Sequence, residues 1–298
     1  MTRKKKRKWG KLIPYLFIAP NFIGFVIFIL IPVIYSLIVS FTDFNIFKGF
    51  GASKFVGLKN YINMFLDANF LQALKNNLLY AAVTIPSMMG LALFIAPLLN
   101  KKVYCSKLLR AMFFLPYITS IVAIAAIWKM IFNPSQGVLN QILRGIGFTQ
   151  VPGWIGDLKW AMPSIMIVGT WIGLGYNVVV YMSGLQGIPL ELYESARIDG
   201  ASNAQVFRYI TVPLLQSTTF FLLITNTINS FQVFGTVNIM TGGGPGNATS
   251  VLAHYMYVNG FKYNKMGYAS AQGWFLLLMI FAITLFQWKI QKKYEESM

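Results

Sequence analysis

Charged residues divide the chain into long apolar stretches. Uncharged runs cover residues 12–42, 76–100, 111–128, 160–190, 209–253 and 266–288. Each can hold the roughly 17 to 25 residues that a helix needs to cross a bilayer. The run 209–253 is interrupted by Thr241-Gly-Gly-Gly-Pro-Gly246, so it holds one span. The pattern predicts helices over about 12–40, 77–99, 111–132, 161–185, 215–239 and 267–289. Soluble helices would show polar faces, and these runs have none. The expected fold class is an all-α polytopic membrane protein, one transmembrane domain over 1–298 with six transmembrane helices.

The connecting segments carry their own patterns. Residues 186–214 lie between the fourth and fifth spans and hold three of the chain's eight acidic residues, Glu191, Glu194 and Asp199. Pro189 presets φ for a first helical turn. Glu191 and Glu194 follow near that helix's N-terminus, where the macrodipole favours anions. Asp199-Gly200 is a stop, because glycine adopts the left-handed cap without strain. Ser202 or Asn203 can cap a second short helix, and Pro213 opens the next span. Tyr193, Ala196 and Gly200 fall on one helical face, two of them nearly free of side chain. The pattern alone fits a docking surface and a solvated loop about equally. On the opposite side of the membrane, 54–65 and the stretch from Gly137 predict short interfacial helices. The glycine-rich run after Thr241 predicts no regular structure. It also lacks the Gly-Lys-Ser/Thr ending of a phosphate loop.

Charge sets the orientation. The chain has 25 Lys and Arg against 8 Asp and Glu, a net charge of +17, with only 11% charged residues. The two ends, the segment before residue 111 and the segment 186–214 together carry 16 Lys and Arg, against nine in the other loops. The positive-inside rule places both termini and 186–214 in the cytoplasm. Basic residues that flank apolar spans are orientation signals and lipid contacts, which argues against nucleic-acid binding. The Lys-rich start precedes a span too long for a signal-peptide core and no small-residue cleavage site follows, so it is expected to be a retained helix. The lone Cys105 can form no internal disulfide or thiolate metal site and reads as an inert loop thiol.

Glu194-Ser195-Ala196, Gly200 four residues later, then Ile210, Val212 and Pro213 resemble the EAA loop of ABC importer permeases. That pattern is Glu-Ala-Ala, three residues, Gly, nine residues, Ile, one residue, Leu-Pro; here Ser195 and Val212 are mild departures. Phe231, Phe234, Thr241-Gly-Gly-Gly-Pro245, Thr249 and Gly267-Tyr268-Ala269-Ser270-Ala271 are similar to the maltose and multi-sugar branch, as are Ile18-Ala19-Pro20, Gly57-Leu58-Lys59-Asn60-Tyr61 and Phe114-Leu115-Pro116. The resemblance implies a bacterial plasma-membrane subunit. Its partners would be a second homologous permease, two ATP-binding ATPase subunits and an extracytoplasmic solute-binding protein. It also implies ATPase coupling through Glu191, Glu194, Ser195, Ala196, Asp199, Gly200, Ile210 and Pro213, and binding-protein contact at Gly242, Gly243, Gly244 and Pro245.

A solute that crosses without meeting lipid needs side-chain polar groups inside the bundle. Spans four and five offer Trp171, Tyr176, Asn177, Asn226, Asn229 and Gln232, neutral amides beside aromatics, which suit a sugar. The plain alternative is that such residues join helices to one another. Spans four to six contain no Lys or Arg for an anionic solute. A secondary transporter would be expected to keep ionisable residues mid-membrane, and the spans lack Asp and Glu. A permease for a glycerophosphate is the other alternative. One His and one Cys leave little from which to build an enzyme, and no cofactor or metal is expected. His254 lies near a loop, and Lys129 closes span three and is expected to snorkel.

Overall fold

The computed structural model describes residues 3–47, 49, 51, 53–100 and 106–295. Cys105, Lys48, Lys101 and Lys102 lie outside the described residues, as do the side chains of residues 3–13. Among the described residues, five helices are long and apolar enough to cross a membrane alone: α1 (Pro14–Ser40, continuous with turns from Arg3), α3 (Ala68–Asn100), α7 (Ala161–Gln186), the run Gln216–Met240 and α13 (Met266–Glu295). The sixth is a bent pair, α4 (Ser106–Ile118) and α5 (Ile121–Ile131), whose axes turn by 97°. The shorter helices include α2 (Lys59–Leu66), α6 (Val138–Gly145), α8 (Leu190–Ile198), α9 (Asn203–Val206) and α12 (Leu252–Tyr257). The run Gln216–Met240 is itself divided into α10 (Gln216–Phe231) and α11 (Gly235–Met240).

Two expectations change. The third span is broken rather than continuous over 111–132. Pro116 lacks the amide hydrogen for one helical bond, and Ser120 then turns extended (φ −52°, ψ 124°) before α5 starts. The fifth span breaks at residues 232–234, where Phe234 leaves helical geometry (φ −139°, ψ −54°). A smaller difference concerns α3, which starts at Ala68 rather than near residue 77. The Asp67 carboxylate accepts the Asn69 amide at 2.9 Å, and Lys75 sits on the helix surface instead of ending it.

The chain divides into two compact units. The first comprises Met1–Leu66 and Met256–Phe275. Within it, the Asn60 amide donates to the carbonyls of Ser40 and Thr42, both at 2.8 Å, which ties α2 to the end of α1. Trp274 Nε1 donates to Ser36 Oγ at 3.2 Å, and the Gly267 amide to the Phe44 carbonyl at 3.1 Å.

The second unit comprises Asp67–Tyr255 and Leu276–Met298. Its centre is the contact between α3 and α7. Lipid gives no hydrophobic drive for two apolar helices to associate, so they hold through close approach. Gly169 and Gly173, one turn apart on α7, supply it: a methyl at Gly169 would overlap the Tyr80 hydroxyl, and one at Gly173 would lie 2.7 Å from Met88 Sδ. Gly175 likewise takes the Phe113 carbonyl of α4. Asn140 of α6 is fully buried and donates to the carbonyls of Pro134 (2.9 Å) and Pro152 (3.0 Å). It accepts the Trp154 indole N–H at 2.6 Å. That clamp closes the segment between α5 and α7 under a cluster of Trp128, Phe132, Trp154 and Trp160.

Gly173→Leu is expected to lower the stability of the purified protein by about 1–3 kcal/mol, the usual cost of overpacking. Gly90→Leu, on α3 but facing open space, is expected to change little. Thermal unfolding of both variants in detergent checks this. Equal melting temperatures would refute the close-approach account.

Candidate functional site

A cavity of about 270 Å³ lies in the second unit, where the two broken spans meet. Ile121 at the start of α5 and Val233, Phe234 and Gly235 at the start of α11 line it. Gly235 lets the two helix starts touch: a methyl there would lie 3.1 Å from the Ile121 side chain. The other walls are Tyr80 and Met88 of α3, Tyr117 of α4, Gly169, Ile172, Gly173 and Tyr176 of α7, and Asn226, Asn229 and Ser230 of α10. Tyr117 and Tyr176 stack with ring centres 4.9 Å apart. The lining carries hydroxyls, amides and aromatic rings, and no charged side chain.

The six residues predicted from spans four and five separate into three groups. Tyr176, Asn226 and Asn229 face the cavity. Asn226 and Asn177 pair with each other: Asn226 Nδ2 donates to Asn177 Oδ1 at 2.7 Å, and Asn177 Nδ2 donates back at 3.3 Å and to the Gly173 carbonyl at 2.8 Å. Both are buried, so this amide pair joins α7 to α10. Asn229 is exposed at the cavity mouth. Trp171 and Gln232 do not line the cavity. Trp171 meets Trp128 edge-on at 5.5 Å and faces a separate groove, and Gln232 is exposed at the end of α10. Sequence reasoning missed Tyr80, Tyr117 and Thr236, which with Ser230 complete the polar lining. Their only signal is a polar atom inside an apolar run.

The segment 186–214 forms the expected helix, turn and helix. Pro189 precedes α8, and Glu191 occupies its first turn. Gly200 takes φ +77°. The Gly200 amide donates to the Arg197 carbonyl at 3.1 Å and the Ala201 amide to the Ala196 carbonyl at 2.9 Å, the paired bonds of a Schellman stop. Ser202 is the cap of α9. Its amide donates to Gln205 Oε1 at 2.7 Å and its hydroxyl oxygen accepts the Gln205 amide at 3.4 Å, a capping box. Glu191, Glu194, Ser195, Asp199, Gly200 and Pro213 are exposed, and Ala196 and Ile210 are half-buried. Leu190 and Ile198 are also exposed, at 69% and 85%, on the same short helix. Tyr193 reaches the Thr211 hydroxyl at 3.3 Å, and Phe207 stacks on Phe94 of α3.

The glycine-rich loop after α11 is irregular, as expected, but closely bonded. Gly242, Gly243, Gly246 and Asn247 all have positive φ. Thr249 Oγ1 lies 2.7 Å from both the Gly244 carbonyl and Thr241 Oγ1. From α3, Asn76 donates to the carbonyls of Asn247 (3.0 Å) and Ser250 (2.8 Å), and Asn77 Oδ1 accepts the Leu252 amide (3.2 Å). Gly242 is exposed, Gly244 and Pro245 are half-buried, and Gly243 is buried against the ring of His254. His254 lies in α12, with Nδ1 3.3 Å from Ser250 Oγ. Among the described residues, no group of His, Cys, Asp and Glu could hold a metal ion.

Residues 82–295 match the family described as the binding-protein-dependent transport system inner membrane component. The sn-glycerol-3-phosphate transport system permease protein UgpA of Agrobacterium fabrum is 36% identical over 95% of this chain and 96% of its own. The lactose transport system permease protein LacF of Rhizobium radiobacter is 35% identical over 96% of each. Among solved structures, a bacterial alginate ABC transporter in complex with an alginate pentasaccharide-bound periplasmic protein superposes with a TM-score of 0.81 at 26% identity, covering 96% of this chain and 94% of that one. The chain belongs to this family of inner membrane components, the permeases of binding-protein-dependent ABC transporters.

Proposed function

We propose that this permease moves a neutral sugar or oligosaccharide inward, from a solute-binding protein outside to the cytoplasm, by alternating access. The observation that carries the reading is the cavity. Its lining sets tyrosine, serine, threonine and asparagine groups beside flat aromatic rings, without a charge. Amides and hydroxyls exchange hydrogen bonds with sugar hydroxyls, and rings cover the apolar face of a pyranose. The relatives named for lactose and for alginate support a carbohydrate. The relative named for sn-glycerol-3-phosphate supports a second reading, a phosphate ester. An ester's anionic group calls for Arg or Lys at the site, and the cavity lining has neither, so the neutral sugar is the better fit.

The permease is a conduit and not an enzyme, so the work comes from partners. On this reading they are a second homologous permease and two ATPase subunits, which dock on α8 through Glu191, Glu194, Ser195, Ala196, Asp199 and Gly200, with Ile210 and Pro213 setting the following turn. The binding protein meets Gly242 and the edges of Gly244 and Pro245, while Gly243 holds the loop against His254. Both termini and α8 face the cytoplasm, supported by the placement of basic residues.

Three outcomes test the parts separately. In intact cells, an impermeant thiol reagent is expected to miss Ser195→Cys and label Gly242→Cys in a Cys105→Ser background; labelling at 195 would overturn the orientation. In vesicles holding the complete transport system, Asn229→Leu is expected to cut neutral-sugar uptake about tenfold with normal complex yield. Asn226→Leu instead leaves the buried Asn177 amide oxygen without its donor, at roughly 1–3 kcal/mol, and lowers the yield. If Asn229→Leu transports like wild type, or glycerophosphate competes for uptake, the substrate reading is wrong. At the α8 stop, a Cβ on Gly200 meets open space but a positive φ. Gly200→Val is therefore expected to cost about 1 kcal/mol or more and weaken ATPase pull-down, and Gly200→Asn, which tolerates that region, to retain most of it. Equal coupling in Gly200→Val and wild type would refute the docking account.

A further inference from the structure

A groove of about 950 Å³, distinct from the transport cavity, opens along the α3–α7 contact of the second unit. Leu79, Val83 and Leu91 form one wall and Met166, Ile167 and Leu174 the other. At one end stand two lysines, Lys75 near the start of α3 and Lys159 just before α7, both exposed. Neither makes an ion pair with a described residue. The neighbouring carboxylate, Asp157, is turned onto the Lys159 backbone amide at 2.7 Å. A basic mouth therefore leads into an apolar stem.

We propose that this groove binds one anionic phospholipid, its phosphate between Lys75 and Lys159 and its acyl chains along α3 and α7. Three features select a lipid over a helix of another chain. The first is length. From Lys159 to Leu174, α7 advances about 22 Å at ~1.5 Å per residue. That is half of the ~40–45 Å of a bilayer with its headgroups, so the groove is one leaflet deep. The second is the bulk of its walls, in which Ser87, Thr170 and Ala248 are outnumbered by larger apolar side chains. Helices approach closely in lipid through Gly, Ala and Ser, but Gly169 and Gly173 are committed to Tyr80 and Met88. The walls instead present Leu, Val, Met and Ile. The third is polar supply. The Ser87 hydroxyl bonds its own helix at 2.6 Å, and the Asn76 amide donates to the glycine-loop carbonyls. The charge of the lining is confined to the two ammonium groups, which match a phosphate and attract anionic headgroups.

The test is native mass spectrometry of the full transport complex released from nanodiscs of phosphatidylglycerol or of phosphatidylcholine. Phosphatidylglycerol is expected to survive delipidation at this site and phosphatidylcholine not to. The Lys75→Ala/Lys159→Ala double variant is expected to lower its retention at least tenfold. Val83→Trp, which fills the stem without touching the charges, is expected to do the same. Sugar uptake is measured in parallel, so a failure of the transport reading remains distinguishable. Three results overturn the proposal. One is retention unchanged in both variants. Another is displacement of the lipid by millimolar inorganic phosphate, which would make the site one for free anions. The last is crosslinking of Val83→Cys to another protein chain in intact membranes, which would make it a helix interface.

Discussion

The contact between α3 and α7 sets the geometry of the second unit. In lipid it cannot rest on hydrophobic burial, so it rests on dispersion between surfaces brought very near. Gly169 and Gly173 make that nearness possible, and Tyr80 and Met88 occupy the space their side chains would have filled. The same four residues form one wall of the cavity. Packing and cavity are therefore one arrangement: a side chain at Gly169 would displace Tyr80, and one at Gly173 would displace Met88, both of which line the cavity.

The two broken spans follow from a second constraint. Backbone groups in a membrane must find partners, and helix interruptions survive there only where protein or polar groups receive them. The breaks after Ile118 and Phe231 both lie at the cavity, which Tyr117, Asn229, Ser230 and Thr236 line with polar groups. Gly235 on Ile121 then locks one helix start against the other. A polar pocket inside an apolar bundle and two helix interruptions thus share one place in the second unit.

Much of this was legible in the sequence, because a membrane span is a composition and a capped turn is a local motif. The six spans and the stop at Gly200 each depend on residues within one or two turns of one another. The breaks were less visible. Pro116 acts four residues before Ser120, and nothing in Gln232-Val233-Phe234 announces a change of direction. The start of α3 was misplaced because Lys75 reads as a boundary, although a lysine near a helix end can snorkel. Pairings across the chain had no local signal. Asn177 resembles a pathway residue until Asn226, 49 residues later, is seen to occupy it. The glycine loop looks flexible until Asn76, 174 residues before Ser250, is seen to hold it.

Those pairings also bear on how the loop and the cavity can act together. The segment 186–214 is the connection between α7 and α10, and the cavity lies farther along the same two helices. Between them the helices are joined in succession. Gly184 receives Thr218 and Leu215, the Tyr181 hydroxyl donates to Thr219 Oγ1 at 3.2 Å, and Asn177 and Asn226 exchange amide bonds. Nothing in this ladder is charged, and the Asn177 and Asn226 amides would lose a buried partner if the helices slid apart. A displacement of α8 therefore reaches Asn229 and Tyr176 as motion of a joined pair rather than being absorbed by one helix. The Schellman stop and the capping box complete the linkage at the other end, because a stiff turn passes on a push that a slack loop would take up.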